Sequence, residues 1–502
     1  MIAILLIPLI TSLFCWLLRK DRYIGYVSLA GSLVLAGFAA SLIISSVSSS
    51  VEAINGTLYM DALSGYIMAM VVFLGLASAL YSIGYLEQEL HAGLTDVTAI
   101  RRYYALLHLF IFTMLLVTVS NNLALMWIAI EATTIVSAVL IGLGFRKREL
   151  AIEAAWKYII LCTVGIIFAL MGTFITYYAS TAVVGTDGVL NWTSLRNIAD
   201  KLNPATMKLA FVFILVGYGT KAGLAPVHNW LPDAHSQAPS PISALLSGIL
   251  LNTAFYGIVR FMSIVSPSTG AAFTGNLLIA FGVISILISS IFILVQDNYK
   301  RLLAYSSIEH MGIISLGAGL GGFAGLYGAL LHVMNHALSK PLMFFASGKI
   351  QGAYGSTRIE NVRGVLTSMP LLGTITFIGA LSLAGAPPFN IFISEFTVIK
   401  AGVDRGLWPV VAIFLVCMVI VFYGILAGFG KMLFNSHQQS AVGANGRSPL
   451  QESRVPRILA YATMIIMAAL IIVLGVRIPD AIENVINACI QIIGVNNYQM
   501  SP

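Results

Sequence analysis

The stretch Asn122-Leu-Ala-Leu-Met-Trp-Ile-Ala-Ile-Glu-Ala-Thr-Thr-Ile-Val-Ser-Ala-Val-Leu-Ile-Gly-Leu-Gly144 decides the fold. A helix needs about 20 apolar residues to cross a hydrocarbon core, and this run supplies them with one charge inside it. That charge, Glu131, has roughly nine residues of apolar helix before it and ten after. A charged side chain at the bilayer centre costs about 2.5 to 3.5 kcal/mol on insertion scales, so it is kept for a reason. The segment therefore predicts a membrane span carrying a working carboxylate.

The same pattern repeats outward from 122–144. The chain has 502 residues, of which 58% are hydrophobic and only 9% charged, whereas soluble domains carry about 25% charged residues. Fourteen apolar runs bounded by charge, Pro or Gly follow at 2–18, 24–46, 64–85, 103–120, 122–144, 154–179, 208–235, 241–265, 276–296, 302–321, 323–347, 366–402, 407–435 and 456–477. The expected fold is an all-α integral membrane protein of one polytopic domain. The first run lacks a basic leader and a small-residue cleavage site, so it reads as a retained span. Cys15, Cys162, Cys417 and Cys489 have no metal or redox spacing and read as packing residues.

Net charge is +7, with 27 Lys+Arg against 20 Asp+Glu. The basic residues gather after odd-numbered runs, among them Arg19, Lys20, Arg22, Arg101, Arg102, Arg146, Lys147, Arg148 and Arg447. The positive-inside rule places those loops in the cytoplasm and both termini on the outer face. This dispersal excludes nucleic-acid binding and leaves lipid as the chain's solvent.

Two runs, the seventh and the twelfth, are too long for one straight crossing and are interrupted by Gly223-Leu-Ala-Pro226 and Gly385-Ala-Pro-Pro388. Interrupted helices in corresponding places mark inverted repeats with a transport site near the midplane. Residues 1–100 then hold spans 1–3, 101–265 a first five-helix repeat, 276–435 its inverted copy, and 456–477 span 14.

Further ionisable groups share the membrane interior. Lys157 lies near the start of span 6, Lys221 just before the first break, and His332, His336 and Lys340 recur at one-turn spacing on span 11. Glu395 follows the second break. Such a series suits proton transfer, with Glu131 able to respond to Lys157 or Lys221; the alternative is a set of static ion pairs. His228, Asp233, His235, Asn252, Lys300, Glu309 and His310 are accessory candidates. Lys300 with Arg301 reads as a snorkelling anchor, His108 as a packing histidine, and His228, Asp233 and His235 fit no zinc pattern. No phosphate loop, dinucleotide fingerprint or iron–sulphur spacing is present, so no catalytic centre or cofactor site is expected in this chain.

Asn121-Asn-Leu-Ala-Leu-Met-Trp-Ile-Ala-Ile-Glu131, Ala155-Trp-Lys157, Lys221 through Pro241, Asp297 through His310, His332 through Lys340 and Ala386 through Phe396 together resemble the antiporter-like membrane subunits. These are shared by respiratory complex I, Mrp-type sodium/proton antiporters and membrane-bound hydrogenases. The likeness covers about residues 100–435 and is greatest to the F component of hydrogenase-4. It implies a proton path through Glu131, Lys157, Lys221, His332, His336, Lys340 and Glu395. It also implies a prokaryotic inner-membrane location and partner membrane subunits, some antiporter-like and some quinone-module-like. Iron–sulphur clusters and NiFe or flavin would sit only in partner subunits.

Several relatives place a lysine where this chain has Asn252, which leaves the link between half-channels open there. The twenty-five residues after Arg477 are too few for the long lateral helix of one complex I subunit. The expectation is a proton-translocating subunit of a redox-driven complex. Its rivals are an Mrp-type antiporter subunit, a proton-driven partner of inorganic-carbon uptake, and a scaffold.

Overall fold

The computed structural model describes residues 1–18, 21–185, 188–434 and 453–494. Arg19, Lys20 and Arg447 of the charge pattern, and the last position of 407–435, lie outside the described residues.

The chain is helical almost throughout. In order come α1 (Ile2–Leu17), α2 (Asp21–Ser48), a hairpin of β1 (Val51–Ala53) and β2 (Leu58–Met60), α3 (Ala62–His91), α4 (Val97–Val119), α5 (Leu123–Gly142), α6 (Arg148–Val184) and α7 (Trp192–Asn197). Then follow α8 (Pro204–Ala222), α9 (Leu231–Gln237), α10 (Ser240–Leu245), a π turn (Leu246–Leu250), α11 (Leu251–Thr269) and α12 (Ala271–Leu294). The rest comprises α13 (Tyr299–Leu320), α14 (Gly322–Tyr354), α15 (Val365–Ser368), α16 (Pro370–Leu383), α17 (Asn390–Asp404), α18 (Trp408–Phe434), α19 (Arg454–Val476) and α20 (Asp480–Ile493).

Asx side chains start many of these helices. Asp61 accepts from the Ser64 amide at 2.9 Å, Asn122 from Ala124 at 3.0 Å, Asn203 from Thr206 at 3.0 Å, and Asn298 from Lys300 at 2.9 Å. Each cap satisfies an amide that the first helical turn leaves open, worth about 1 kcal/mol.

Ten helices among the described residues are long and apolar enough to cross a membrane. The runs read at 302–321 and 323–347 are helices α13 and α14 but fall outside that set, because they carry Lys300, Glu309, His310, His332, Asn335, His336 and Lys340, all buried. They face protein, so lipid imposes no apolar requirement on them. Lipid-like surface lies instead on outer helices such as α6, where Trp156, Phe174 and Tyr178 are exposed.

α12 and α13 are in backbone contact: a Cβ on Gly282 would press on the Gly312 carbonyl oxygen at 2.7 Å, and one on Gly275 would press on that of Gly319 at 2.6 Å. Small residues permit this approach, which drives packing where no hydrophobic effect operates between helices. Both long runs are interrupted: α8 ends at Gly223 (φ 75°) and α16 is followed by Gly385 (φ 70°), backbone that glycine adopts without strain.

Two features were not anticipated. The hairpin pairs Val51 with Met60 through a turn at Ile54, Asn55 and Gly56, and its Tyr59 ring packs 5.9 Å from Trp192. α20 lies in the stretch after Arg477, burying Ile486, Cys489, Ile490 and Ile493 against α3, α11 and α14. All four cysteines are buried and free, as read.

Candidate functional site

The first cluster forms where α8 stops. Lys221 occupies its last turn and is fully buried. Its Nζ donates to Thr134 Oγ1 of α5 at 2.9 Å and to the Tyr158 hydroxyl of α6, and it stands 4.6 Å from the Tyr158 ring centre. Thr134 Oγ1 donates in turn to Glu131 Oε2 at 3.2 Å, and Thr163 Oγ1 donates to Oε1 at 2.9 Å. Glu131 and Lys221 are thus joined through one threonine hydroxyl, not by direct contact. Tyr158 meets Ser137 Oγ at 2.7 Å, and Ser137 in turn donates to the Thr133 carbonyl at 2.5 Å. The polar backbone of the break is answered by Ser285 Oγ, which accepts from the Ala225 amide at 2.8 Å, and by Trp230 Nε1, which donates to the Thr220 carbonyl at 2.8 Å. Such partners are what irregular backbone at membrane depth requires.

Lys157 departs from the expectation of burial. Its side chain is 50% exposed and pairs with Glu153 at 2.6 Å and Asp233 at 3.4 Å, so it does not face Glu131. The physical reason is helical phase. The buried stripe of α6 runs through Ala151, Ala154, Tyr158, Cys162, Gly165, Ala169 and Gly172, and Lys157 is one position off it. That stripe was legible in the small residues, and it points to Tyr158, which sequence reasoning missed.

The anchor reading of Lys300 is also corrected. Lys300 is buried and donates to the Ala238 carbonyl at 2.9 Å, while Arg301 pairs with Asp233. Asp233 thus has two cationic partners, Lys157 and Arg301. His228 is buried with no partner for Nδ1. His235 is buried between Trp230 and Phe344, its ring 5.3 Å from the latter, and lies within electrostatic reach of Lys300 and Lys340. His108 packs as expected, 2.8 Å from Ser28 Oγ.

The second cluster lies on α13, α14 and α17. Lys340 donates to the Leu303 carbonyl at 3.2 Å and to Ser306 Oγ. One turn earlier, His336 approaches Asn252 Nδ2 at 3.4 Å, and the same amide donates to the Gly248 carbonyl at 2.8 Å within the π turn. Asn252 therefore stands between the π turn and α14 as a donor to histidine. His310 Nδ1 lies 2.9 Å from His332 Nε2, and His332 Nδ1 lies 2.9 Å from Ser394 Oγ. Glu309, His310 and Glu395 converge, with a ligand atom of each within 4.8 Å of the others. A Cβ at Gly385 would overlap the Glu395 carboxylate, so glycine at the break makes room for it.

A membrane protein with broken helices and lysine–histidine–carboxylate clusters between them defines a class of multi-pass, ion-handling subunits. The chain belongs to the family described as NADH:quinone oxidoreductase/Mrp antiporter, TM, whose sequence pattern matches residues 120–421. It is 37% identical over 431 residues to the "Hydrogenase-4 component F homolog" of Methylacidiphilum infernorum, covering 86% of this chain and 87% of that one. It is 30% identical over 438 residues to "NADH-quinone oxidoreductase subunit N" of Desulforudis audaxviator, covering 86% and 83%. Its fold matches a chain of the solved membrane-bound sulfane sulfur reductase, an archaeal respiratory membrane complex, with TM-score 0.83 and 26% identity over 99% of this chain and 98% of that one.

Proposed function

We propose that this chain is the proton-translocating, antiporter-like membrane subunit of a redox-driven complex of the hydrogenase or complex I-like kind. The observation that carries the reading is the buried set of protonatable groups across α13, α14 and α17, in which His310, His332 and Ser394 are hydrogen-bonded in series and the carboxylates of Glu309 and Glu395 stand beside His310. Family membership supports it. Packing alone is a poor account of so many insertion costs.

In this reading the chain makes fourteen crossings, with both termini on the outer face of a prokaryotic inner membrane and spans 4–8 and 9–13 as inverted repeats. The paired breaks after Ala222 and Leu383 support that arrangement. A proton enters from the cytoplasm near α8 or α13, moves along Lys221, Lys340, His336 and His332, and leaves by Glu395. Glu131 and Lys221, linked by Thr134, are the switch; the link favours this pair over Glu131 and Lys157. The redox cofactors would belong to partner subunits.

The test is proton pumping into sealed vesicles by the purified complex, with redox turnover followed in parallel. Lys221→Ala is expected to bring pumping to background. Unchanged pumping and turnover would make the chain a scaffold. A finer prediction separates neighbours in sequence. Tyr158→Phe removes an acceptor of Lys221 and is expected to slow pumping severalfold. Lys157→Gln, which removes only half-exposed ion pairs, leaves pumping near wild type. The reverse order of effects would return Lys157 to the path.

A further inference from the structure

The hydrogen bonds around His332 fix where its protons are. Ser394 has one hydroxyl proton and gives it to the Ile391 carbonyl at 2.8 Å. Its oxygen is therefore an acceptor, taking Asn335 Nδ2 at 3.1 Å and His332 Nδ1 at 2.9 Å. A neutral His332 with its proton on Nδ1 presents a bare Nε2, so the 2.9 Å bond to His310 must be donated by His310 Nδ1. Neutral His310 then turns a lone pair on Nε2 towards Glu309, whose Oε2 is 3.5 Å away.

The surroundings offer that lone pair no donor. Both oxygens of Glu309, Nε2 of His310 and Oε1 of Glu395 are buried without a hydrogen-bond partner. Three acceptors thus face one another from α13 and α17, two of them carboxylates, inside 4.8 Å. Two adjacent ionised carboxylates cannot coexist in such a place, and neither can relieve the imidazole. A cation has to sit among them. The charged and titratable groups within electrostatic reach of the cluster are Lys340, His332 and His336 from α14 and Cys417 from α18. The carboxylates with one proton carry a single negative charge, which the Lys340 ammonium matches.

We propose that Glu309, His310 and Glu395 form a three-acceptor site that holds one proton in common, with Glu309 an obligatory proton-sharing partner of Glu395. The proton is covalently on one carboxyl oxygen and is donated to the other carboxylate or to His310 Nε2. This deepens the proton-translocating reading and rests on it: the site is the last store on the path before release. The position that makes it is Glu309, since a neutral side chain there would leave Glu395 with the imidazole alone.

The test is infrared spectroscopy of the purified complex near neutral pH, following the C=O stretch of a protonated carboxyl and its shift in D2O. Glu309→Gln supplies N–H donors in place of the shared proton, so Glu395 becomes ionised and the band is expected to disappear. Glu395→Gln reports on the same proton from the other side and is expected to remove the same band, which keeps the result readable if either variant assembles poorly. A band untouched by either change would overturn the proposal. So would its absence in the wild type together with stoichiometric sodium or a divalent metal on elemental analysis. Pumping is measured on the same preparations. If Lys221→Ala stops pumping and Glu309→Gln leaves both pumping and the band intact, the shared site fails while the proton path stands. If none of the three substitutions alters pumping, the path itself fails.

Discussion

Arg260→Met is expected to cost about 3 to 5 kcal/mol, enough to consume much of a membrane domain's stability. The guanidinium is buried and makes four hydrogen bonds. Nη1 donates to Asp61 Oδ2 at 2.7 Å, Nη2 to Asp61 Oδ1 at 2.6 Å and to Ser64 Oγ at 2.9 Å, and Nε to the Tyr256 hydroxyl at 2.9 Å. The same group stacks 4.2 Å from the Trp192 ring centre. Methionine fills comparable volume but leaves the Asp61 carboxylate buried, charged and unmatched, and Asp61 is also the cap of α3. The cost comes chiefly from that stranded charge. The double variant Asp61→Asn with Arg260→Met should therefore recover part of the loss, because asparagine removes the charge and still accepts from the Ser64 amide. Thermal melting in detergent checks both. A single variant that melts like wild type, or a double that is worse than the single, would refute this account.

Gly475→Ala is expected to abolish or nearly abolish pumping from a helix that carries no candidate proton group. Gly475 ends α19 against the second break, where an added Cβ would overlap the Pro388 carbonyl oxygen and crowd the Phe389 carbonyl carbon at 2.6 Å and the Asn390 amide nitrogen at 2.8 Å. These are backbone atoms and have no rotamer to escape into. Overpacking of this kind costs about 1 to 3 kcal/mol, occasionally more. The displaced residue, Asn390, receives Ser382 Oγ at 2.9 Å, donates to Asn335 Oδ1 at 3.1 Å, and begins the helix that carries Ser394 and Glu395. Its movement therefore reaches the acceptor cluster. Gly428→Ala is the control, since its Cβ meets the flexible end of Leu302 at 2.7 Å and should be nearly neutral. Pumping normalised to assembled complex distinguishes the two positions; equal behaviour would dissociate the break from function.

What the sequence discloses follows from the solvent each helix meets. Lipid forces the helices that face it to be predominantly apolar, so Ala271–Leu294 declares itself, and Leu123–Gly142 does so with the single charge of Glu131 inside it. The breaks are legible because Gly223 and Gly385 interrupt such runs beside prolines. α20 had its signals, a proline at the cap, Asp480 and Glu483 in the first turn and buried positions at helical spacing, but it is amphipathic and not a span. The hairpin at Val51–Met60 was too short to show a period. In the site, residue types were legible and partners were not. Glu131 answers to Lys221 and not Lys157 because of α6 phase, and Glu309 meets Glu395 only because α13 and α17 are brought together, 86 residues apart in sequence.

Every residue of the apolar window within the helical stretch Ser240–Thr269 is buried inside the protein. It is nonetheless synthesised before α14, which packs on α10 and the π turn. Arg260 finds Asp61 already in place, but Asn252 waits for His336, 84 residues later. At elongation rates of about 5 to 20 residues per second, that interval is roughly 4 to 17 s. Throughout it, α10 and the π turn have α3 beside them but not α14. The order in which ribosomes deliver the helices is therefore part of how the interior polar path comes to be sealed from the bilayer.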